Sequence, residues 1–157
     1  MWRLRVFSPK TKSIRCQMVQ AVHIRALLAD DQEMVRQALR SALQDYPNIE
    51  VVGEASNGEE AVTAASKLLP SVIVMDISMS TMDGITATRL IKTQHPQIAV
   101  IGLSVHREAH QIEAMQKAGA FEVLPKDSAV TVLYSAIQRA IASIQPILIT
   151  GDTAVAA

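Results

Sequence analysis

Five polar side chains stand where apolar runs give out: Asp30 and Asp31 after Leu27-Leu28-Ala29, Asp76 after Val72-Ile73-Val74-Met75, Ser104 after Ile101-Gly102-Leu103, and Lys126 after Val123-Leu124-Pro125. Three carboxylates brought together repel one another and raise their own pKa values. A divalent cation relieves that repulsion. A few hard oxygen ligands, with room left for water and phosphate oxygens, suit Mg2+. A carboxylate can also attack phosphorus and become an acyl phosphate. Such a transfer needs positioning and charge neutralisation more than covalent chemistry from the protein. Asp76, at the end of the central buried strand, is the best-placed nucleophile, and Asp30 and Asp31 are left to hold the metal. Lys126 can pair with one phosphoryl oxygen and Ser104 can donate a hydrogen bond to another.

These residues can meet only if the elements carrying them line up. An apolar run, Ile24 to Ala29, precedes helical spacing with Val35, Ala38, Leu39, Ala42 and Leu43 on one face. Pro47-Asn48 breaks it, and Ile49 to Ala55 is a second strand. Asn57 can cap the next helix, with Glu60 in capping-box position and Ala61, Ala64, Ala65 and Leu68 buried; Pro70 ends it. The run 71–75 suits a strand covered on both faces. A helix from Ile85 to Thr93, a strand from Ile98 to Leu103, a helix from Glu108 to Ala118 with Gly119 at its C′ position, and a short strand from Phe121 to Leu124 follow. Ser128 can cap the last helix, with Val130, Leu133, Ala136, Ile137, Ala140 and Ile141 turned inward. This is βα repeated five times, which predicts a parallel sheet with helices on both faces. The ligand site of such a sheet lies at the C-terminal edges of its strands, and all five polar residues fall there.

Composition narrows the functions. Lys and Arg total 15, as do Asp and Glu, so the formal net charge is zero, which argues against a basic nucleic-acid binder. Aromatic residues make up 3%, too few for a base-stacking surface. The 157 residues are a one-domain length. The single Cys16 cannot form an internal disulfide and points to a reducing, cytoplasmic setting. No apolar run is long enough to span a bilayer, so no membrane association is expected. Residues 1–22 are basic and weakly periodic and predict a poorly ordered extension; 23–143 form the domain; 144–157 form a tail.

The segments Leu27-Leu28-Ala29-Asp30-Asp31-Gln32, Val74-Met75-Asp76-Ile77-Ser78-Met79-Ser80-Thr81-Met82-Asp83-Gly84, Leu103-Ser104-Val105 and Gly119-Ala120 ahead of Leu124-Pro125-Lys126-Asp127 resemble a response-regulator receiver domain, in order and spacing, over about residues 24–142. The wording is closest to the NarL/FixJ-type subgroup. The resemblance implies a five-stranded flavodoxin-like, CheY-like fold. It also implies that a histidine kinase or phosphotransfer protein donates a phosphoryl group to Asp76 with Mg2+ bound. Carried over by position, Asp31 ligates the metal directly, Asp30 acts largely through water, and the backbone carbonyl of Ser78 is a further ligand. Ser104 becomes the switch hydroxyl and Lys126 the phosphate-binding lysine. The positions of Ser78 and His106 are ones that tune dephosphorylation in receivers. The chain departs from the family at Ser80, where Pro is usual, at Val123, where Tyr or Phe is frequent, and at Asp127, where Pro is common.

Other readings of single features are plainer. Asp30-Asp31 alone could face a helix dipole, and Asp83-Gly84 reads as turn and cap chemistry. Met75, Met79 and Met82 read as packing. His106 and His110 are spaced i, i+4, but Glu108 occupies the wrong slot for a zinc protease helix. No glycine-rich phosphate loop follows the first strand, which disfavours a nucleotide site. A Mg2+-dependent phosphatase with an Asp nucleophile wants a second carboxylate two residues on, where Ser78 stands. The expected function is therefore a phosphorylation switch with an unknown output protein partner, not a turnover enzyme. About 15 residues follow the last helix, whereas a helix-turn-helix domain needs roughly 60. DNA binding by these residues is not expected; they form either a stand-alone receiver or the receiver part of a longer transcriptional regulator. A homodimer through the fourth and fifth helices is compatible with the sequence.

Overall fold

The computed structural model describes residues 22–106 and 108–144. The expectations for an extension over 1–22 and a tail over 144–157 fall, apart from Val22 and Ile144, outside the described residues. Strands β1 (Ile24–Ala29), β2 (Ile49–Ala55), β3 (Val72–Asp76), β4 (Ala99–Ser104) and β5 (Glu122–Pro125) alternate with helices α1 (Glu33–Gln44), α2 (Gly58–Leu68), α3 (Gly84–Gln94), α4 (Ala109–Lys117) and α5 (Ala129–Ile144). The strands form one sheet in the order β2-β1-β3-β4-β5, every pair parallel. This is the doubly wound order that the resemblance implies, with its topological switch between β1 and β3.

Parity along the buried strands sorts the core into two layers. Ile24, Ala26, Leu28, Val72, Val74, Ile101 and Leu103 pack against Leu39 and Leu43 of α1 and Leu133, Ala136, Ile137 and Ala140 of α5. Leu27, Ala29, Ile73, Met75 and Val100 face the other way, against Ala61, Ala65, Ala87, Ile91 and Met115 of α2, α3 and α4. Both layers are required because β1, β3 and β4 have almost no polar residues to show to water.

The helix ends follow local chemistry. Asn57 Oδ1 accepts from the Glu60 amide, and Asp83 Oδ1 accepts from the Thr86 amide. The capping box closes one residue early, since the Glu60 carboxylate accepts from the amide and hydroxyl of Ser56. Helix α2 stops at Leu69 in the left-handed region (φ 46°), just before Pro70. Gly119, at φ 114°, follows the C-cap of α4 as expected.

Three sequence expectations are corrected. Ala38 is exposed, because at 3.6 residues per turn it lies roughly 90° from the middle of the stripe formed by Val35, Leu39, Ala42 and Leu43. Val130 is exposed as well. It belongs to the first turn of α5, where the helix has just left the short edge strand and only Ala129 is buried. The Ser128 hydroxyl does not cap α5; it turns back and donates to the Pro125 carbonyl at 3.4 Å.

Candidate functional site

The strands deliver their terminal residues to one rim. Asp30 follows β1, and its amide donates to the Ala55 carbonyl at 3.0 Å. Asp76 is the last residue of β3, in register with Leu103 of β4, and the Ile77 amide continues the ladder to the Leu103 carbonyl. The Lys126 amide donates to the Ser104 carbonyl at 2.8 Å, which ties the end of β5 to the end of β4. Backbone hydrogen bonding thus fixes where four of the five side chains start.

The carboxylates converge. Oxygen atoms of Asp30, Asp31 and Asp76 all lie within 4.8 Å of one another. Asp30 and Asp76 are buried, whereas Asp31 is exposed. Lys126 Nζ bridges the two buried acids, 2.7 Å from Asp30 Oδ2 and 3.1 Å from Asp76 Oδ2. Its bond to Asp76 has hydrogen-bond geometry. Its contact with Asp30 is the shorter of the two, an ion pair to a carboxylate oxygen that is buried with no other polar partner. The remaining carboxylate oxygens are held locally: Asp30 Oδ1 accepts from the Gln32 amide and Asp76 Oδ1 from the Ser78 amide.

Burial pushes the Asp76 carboxyl above the usual aspartate range, the Asp30 carboxylate adds to the rise, and Lys126 offsets only part of it. For Lys126, burial alone would lower the ammonium, but the Asp30 and Asp76 carboxylates outweigh it and hold the pKa above the ordinary lysine value. Among the described residues, one ammonium faces three carboxylates.

That donor set fits a small hard cation. It offers only carboxylate oxygen, from three residues within 4.8 Å of one another, and it is open on the exposed Asp31 side. Asp30, Asp31 and Asp76 are the residues that could hold the ion. Ser78 is exposed next to them.

Ser104 is buried at the rim, but its hydroxyl donates to the backbone carbonyl of His106 and is committed to the β4–α4 loop. The geometry therefore joins Asp30, Asp31, Asp76 and Lys126, while the Ser104 hydroxyl faces elsewhere. Beneath that loop lies a cavity of about 230 Å³ lined by Ser104, His106, Ile112, Val123, Leu124 and Pro125. His106 is exposed, and His110 Nε2 lies 3.3 Å from Glu108. The Lys126–Asp127 peptide is trans, as are the other described peptide bonds.

Two further residues shape the site and escaped the sequence reading. Arg36 of α1 reaches back to the Asp30 carbonyl, with Nη1 at 2.6 Å. Glu54 of β2 holds that guanidinium, accepting from Arg36 Nε at 2.9 Å, and Arg40 Nη2 lies 2.6 Å from its other oxygen. An arginine on a helix and a glutamate on an edge strand read singly as solvated charges. Only the register Leu28↔Glu54 beside the α1 start brings them together.

Comparison with known proteins agrees with this fold. The family model of the response regulator receiver domain matches residues 26–138. The transcriptional regulatory protein LiaR of Bacillus subtilis is 42% identical over 117 residues, covering 74% of this chain and 56% of that protein. A protein-glutamate methylesterase/protein-glutamine glutaminase of Alkalilimnicola ehrlichii is 44% identical over 105 residues, 66% of this chain and 27% of that protein. The crystal structure of the response regulator domain of Thermotoga maritima CheB superposes with a TM-score of 0.71 at 30% identity, covering 78% of this chain and 98% of that one. The chain belongs to the response regulator receiver family of two-component systems, whose members are phospho-accepting switches. It spans only about a quarter to a half of the length of these two relatives, and the matched part is their receiver. Among the described residues, no helix is long and apolar enough to cross a membrane.

Proposed function

We propose that Asp76 accepts a phosphoryl group from a histidine kinase or a histidine phosphotransfer protein, with Mg2+ held by Asp30, Asp31, Asp76 and the Ser78 carbonyl, in the cytoplasm. The observation that carries this reading is the convergence of a buried strand-end carboxylate, two further carboxylates and one bridging ammonium at the sheet's C-terminal rim. A bound Mg2+ would neutralise charge shared between the carboxylates and the phosphoryl oxygens.

The chain's own residues do the rest. One Asp76 oxygen forms the new O–P bond as the N–P bond of the phosphohistidine breaks, and the leaving imidazole nitrogen keeps the electron pair. Lys126 exchanges its contact with Asp76 for a phosphoryl oxygen. The Ser104 hydroxyl leaves the His106 carbonyl and turns to another phosphoryl oxygen, which releases the β4–α4 loop. That loop borders the 230 Å³ cavity against β5, so its movement would alter the α4–β5–α5 face offered to an output partner. His106 and Ser78, flanking the phosphoryl group, would set its lifetime.

Labelling with acetyl phosphate tests the reading. Wild type should form a phosphoprotein that needs Mg2+, and Asp76→Asn should not. Labelling that survives the substitution removes Asp76 as the acceptor. Sustained phosphate release from small esters would instead favour a phosphatase.

A second reading concerns the whole polypeptide. Because LiaR and the methylesterase extend well beyond the region matched here, this receiver could regulate an attached DNA-binding or enzymatic domain. The extent of the full reading frame decides between the two.

A further inference from the structure

Asp30 and Asp31 must sit at a fixed spacing to share an ion with Asp76, yet they lie just past the end of a strand, where the Asp30 amide still bonds to the Ala55 carbonyl but the Asp30 carbonyl turns to a side chain instead of the ladder. The carbonyl of Asp30 is the critical group, because it belongs to the peptide that joins the two aspartates. Its plane sets the direction in which each side chain leaves the backbone. That carbonyl is not left to water: Arg36 Nη1 donates to it at 2.6 Å. The Arg36 side chain is 14% exposed, and its Nε is committed to Glu54 on β2. The guanidinium fork therefore spans the α1 start, the β1 end and the β2 edge, a reach that a point-charge ammonium does not duplicate.

We propose that Arg36 is a positioning residue for the cation site, holding the Asp30–Asp31 peptide so that both carboxylates face the ion. This rests on the Mg2+-dependent reading above and adds a residue that acts through the backbone. An ordinary surface ion pair would explain a contact with Glu54, but not the contact with a neutral carbonyl next to the acidic cluster. Arg40 supplies the comparison. It shares Glu54, and its polar contacts among the described residues are to Glu54 alone.

Calorimetric Mg2+ titration of the full chain, with Arg36→Ala set against Arg40→Ala, separates positioning from general ion pairing. Loss of an outer partner of a metal ligand weakens binding by about tenfold or more, so Arg36→Ala should raise the Mg2+ Kd about tenfold while Arg40→Ala stays within about twofold. The metal-free protein offers an independent readout: the ¹⁵N shift of the Asp31 amide should move in Arg36→Ala and not in Arg40→Ala. Acetyl-phosphate labelling of Arg36→Ala should recover as Mg2+ is raised, a change in apparent affinity with little change in the saturated rate. Should Arg36→Ala fail to fold, Arg36→Lys is read the same way, since one ammonium cannot serve both partners in the same geometry; its Kd should rise severalfold. Equal Kd values for the two alanine variants, or an unchanged Kd in Arg36→Lys, overturn the inference alone. A wild-type chain that binds no Mg2+ overturns it together with the proposed function.

Discussion

The α-carbon of Gly84 lies against the backbone carbonyl of Asp76, with no space for a β-carbon between them. The Gly84 amide also donates to the Ile77 carbonyl at 2.9 Å, so the first turn of α3 is laid directly on the peptide that carries the acceptor carboxylate. The intervening loop is closed by the Met82 amide donating to Ser80 and by the Gly58 amide donating to the Met82 carbonyl. Local turn chemistry therefore becomes a constraint on the site.

Gly84→Ala should consequently destabilise the domain and disturb the site together. The new methyl meets backbone, which cannot rotate away, so the cost should reach about 2–3 kcal/mol, the upper part of the overpacking range. A urea titration should give a lower midpoint at unchanged slope, and acetyl-phosphate labelling of Asp76 should slow. An unchanged midpoint would mean that α3 slides without cost, and the close packing would lose its significance.

The end of α2 carries the opposite opportunity. Leu69 adopts φ 46° and ψ 59°, a region in which a side chain with a β-carbon is strained by roughly 1–2 kcal/mol. Its side chain is 52% exposed, so little packing is lost on removing it. Its carbonyl, not its side chain, receives the Arg25 guanidinium. Leu69→Gly should therefore stabilise the domain by about 1 kcal/mol, allowing for the extra freedom that glycine gives the unfolded chain. A fall in thermal midpoint would show that the leucine contributes packing that outweighs its backbone strain.

How far the sequence carries can be judged from particular residues. Asp30, Asp76, Ser104 and Lys126 were legible because each is the first polar residue after an apolar run, with Asp31 directly behind Asp30, and a parallel sheet sends all such ends to one edge. Asn57 and Asp83 were legible as caps because the signal is local. Side-chain direction was less accessible. Ser104 sits where expected, yet its hydroxyl bonds within its own loop, and Ser128 turns back to Pro125 where a cap was predicted. Arg36 and Glu54 stayed hidden because their partnership depends on the register of two strands 20 to 30 residues apart in the chain. Ala38 and Val130 were misassigned because apolar spacing gives a face but not the width of the stripe that the sheet can cover.

The ionisation of Asp76 makes the last prediction, and its sign follows from burial. The folded protein holds a proton on Asp76 more tightly than the unfolded chain does. Ionised Asp76 therefore costs stability at neutral pH, and the cost disappears as pH falls from the folded pKa towards the unfolded value near 3.8. Lys126 does not confuse the test: its pKa is raised, so it stays charged throughout this window. Glu54 has the opposite sign. Its arginine partners hold its carboxyl low, so the stability it contributes is present above 4.5 and is lost as pH falls through its folded pKa. In metal-free protein, Asp76→Asn should be more stable than wild type at neutral pH, with the gap closing in acid. Glu54→Gln should be less stable at neutral pH, and its deficit should also close in acid. Mg2+ at ten times its Kd should restore about 1.4 kcal/mol to wild type, or about 4 °C in Tm for a domain of this size. Chelation should reverse the gain, and Asp76→Asn should show little of it. A Tm gain of equal size in Asp76→Asn would place the bound ion away from the acceptor carboxylate, because an ion that does not touch Asp76 has no reason to answer to its charge.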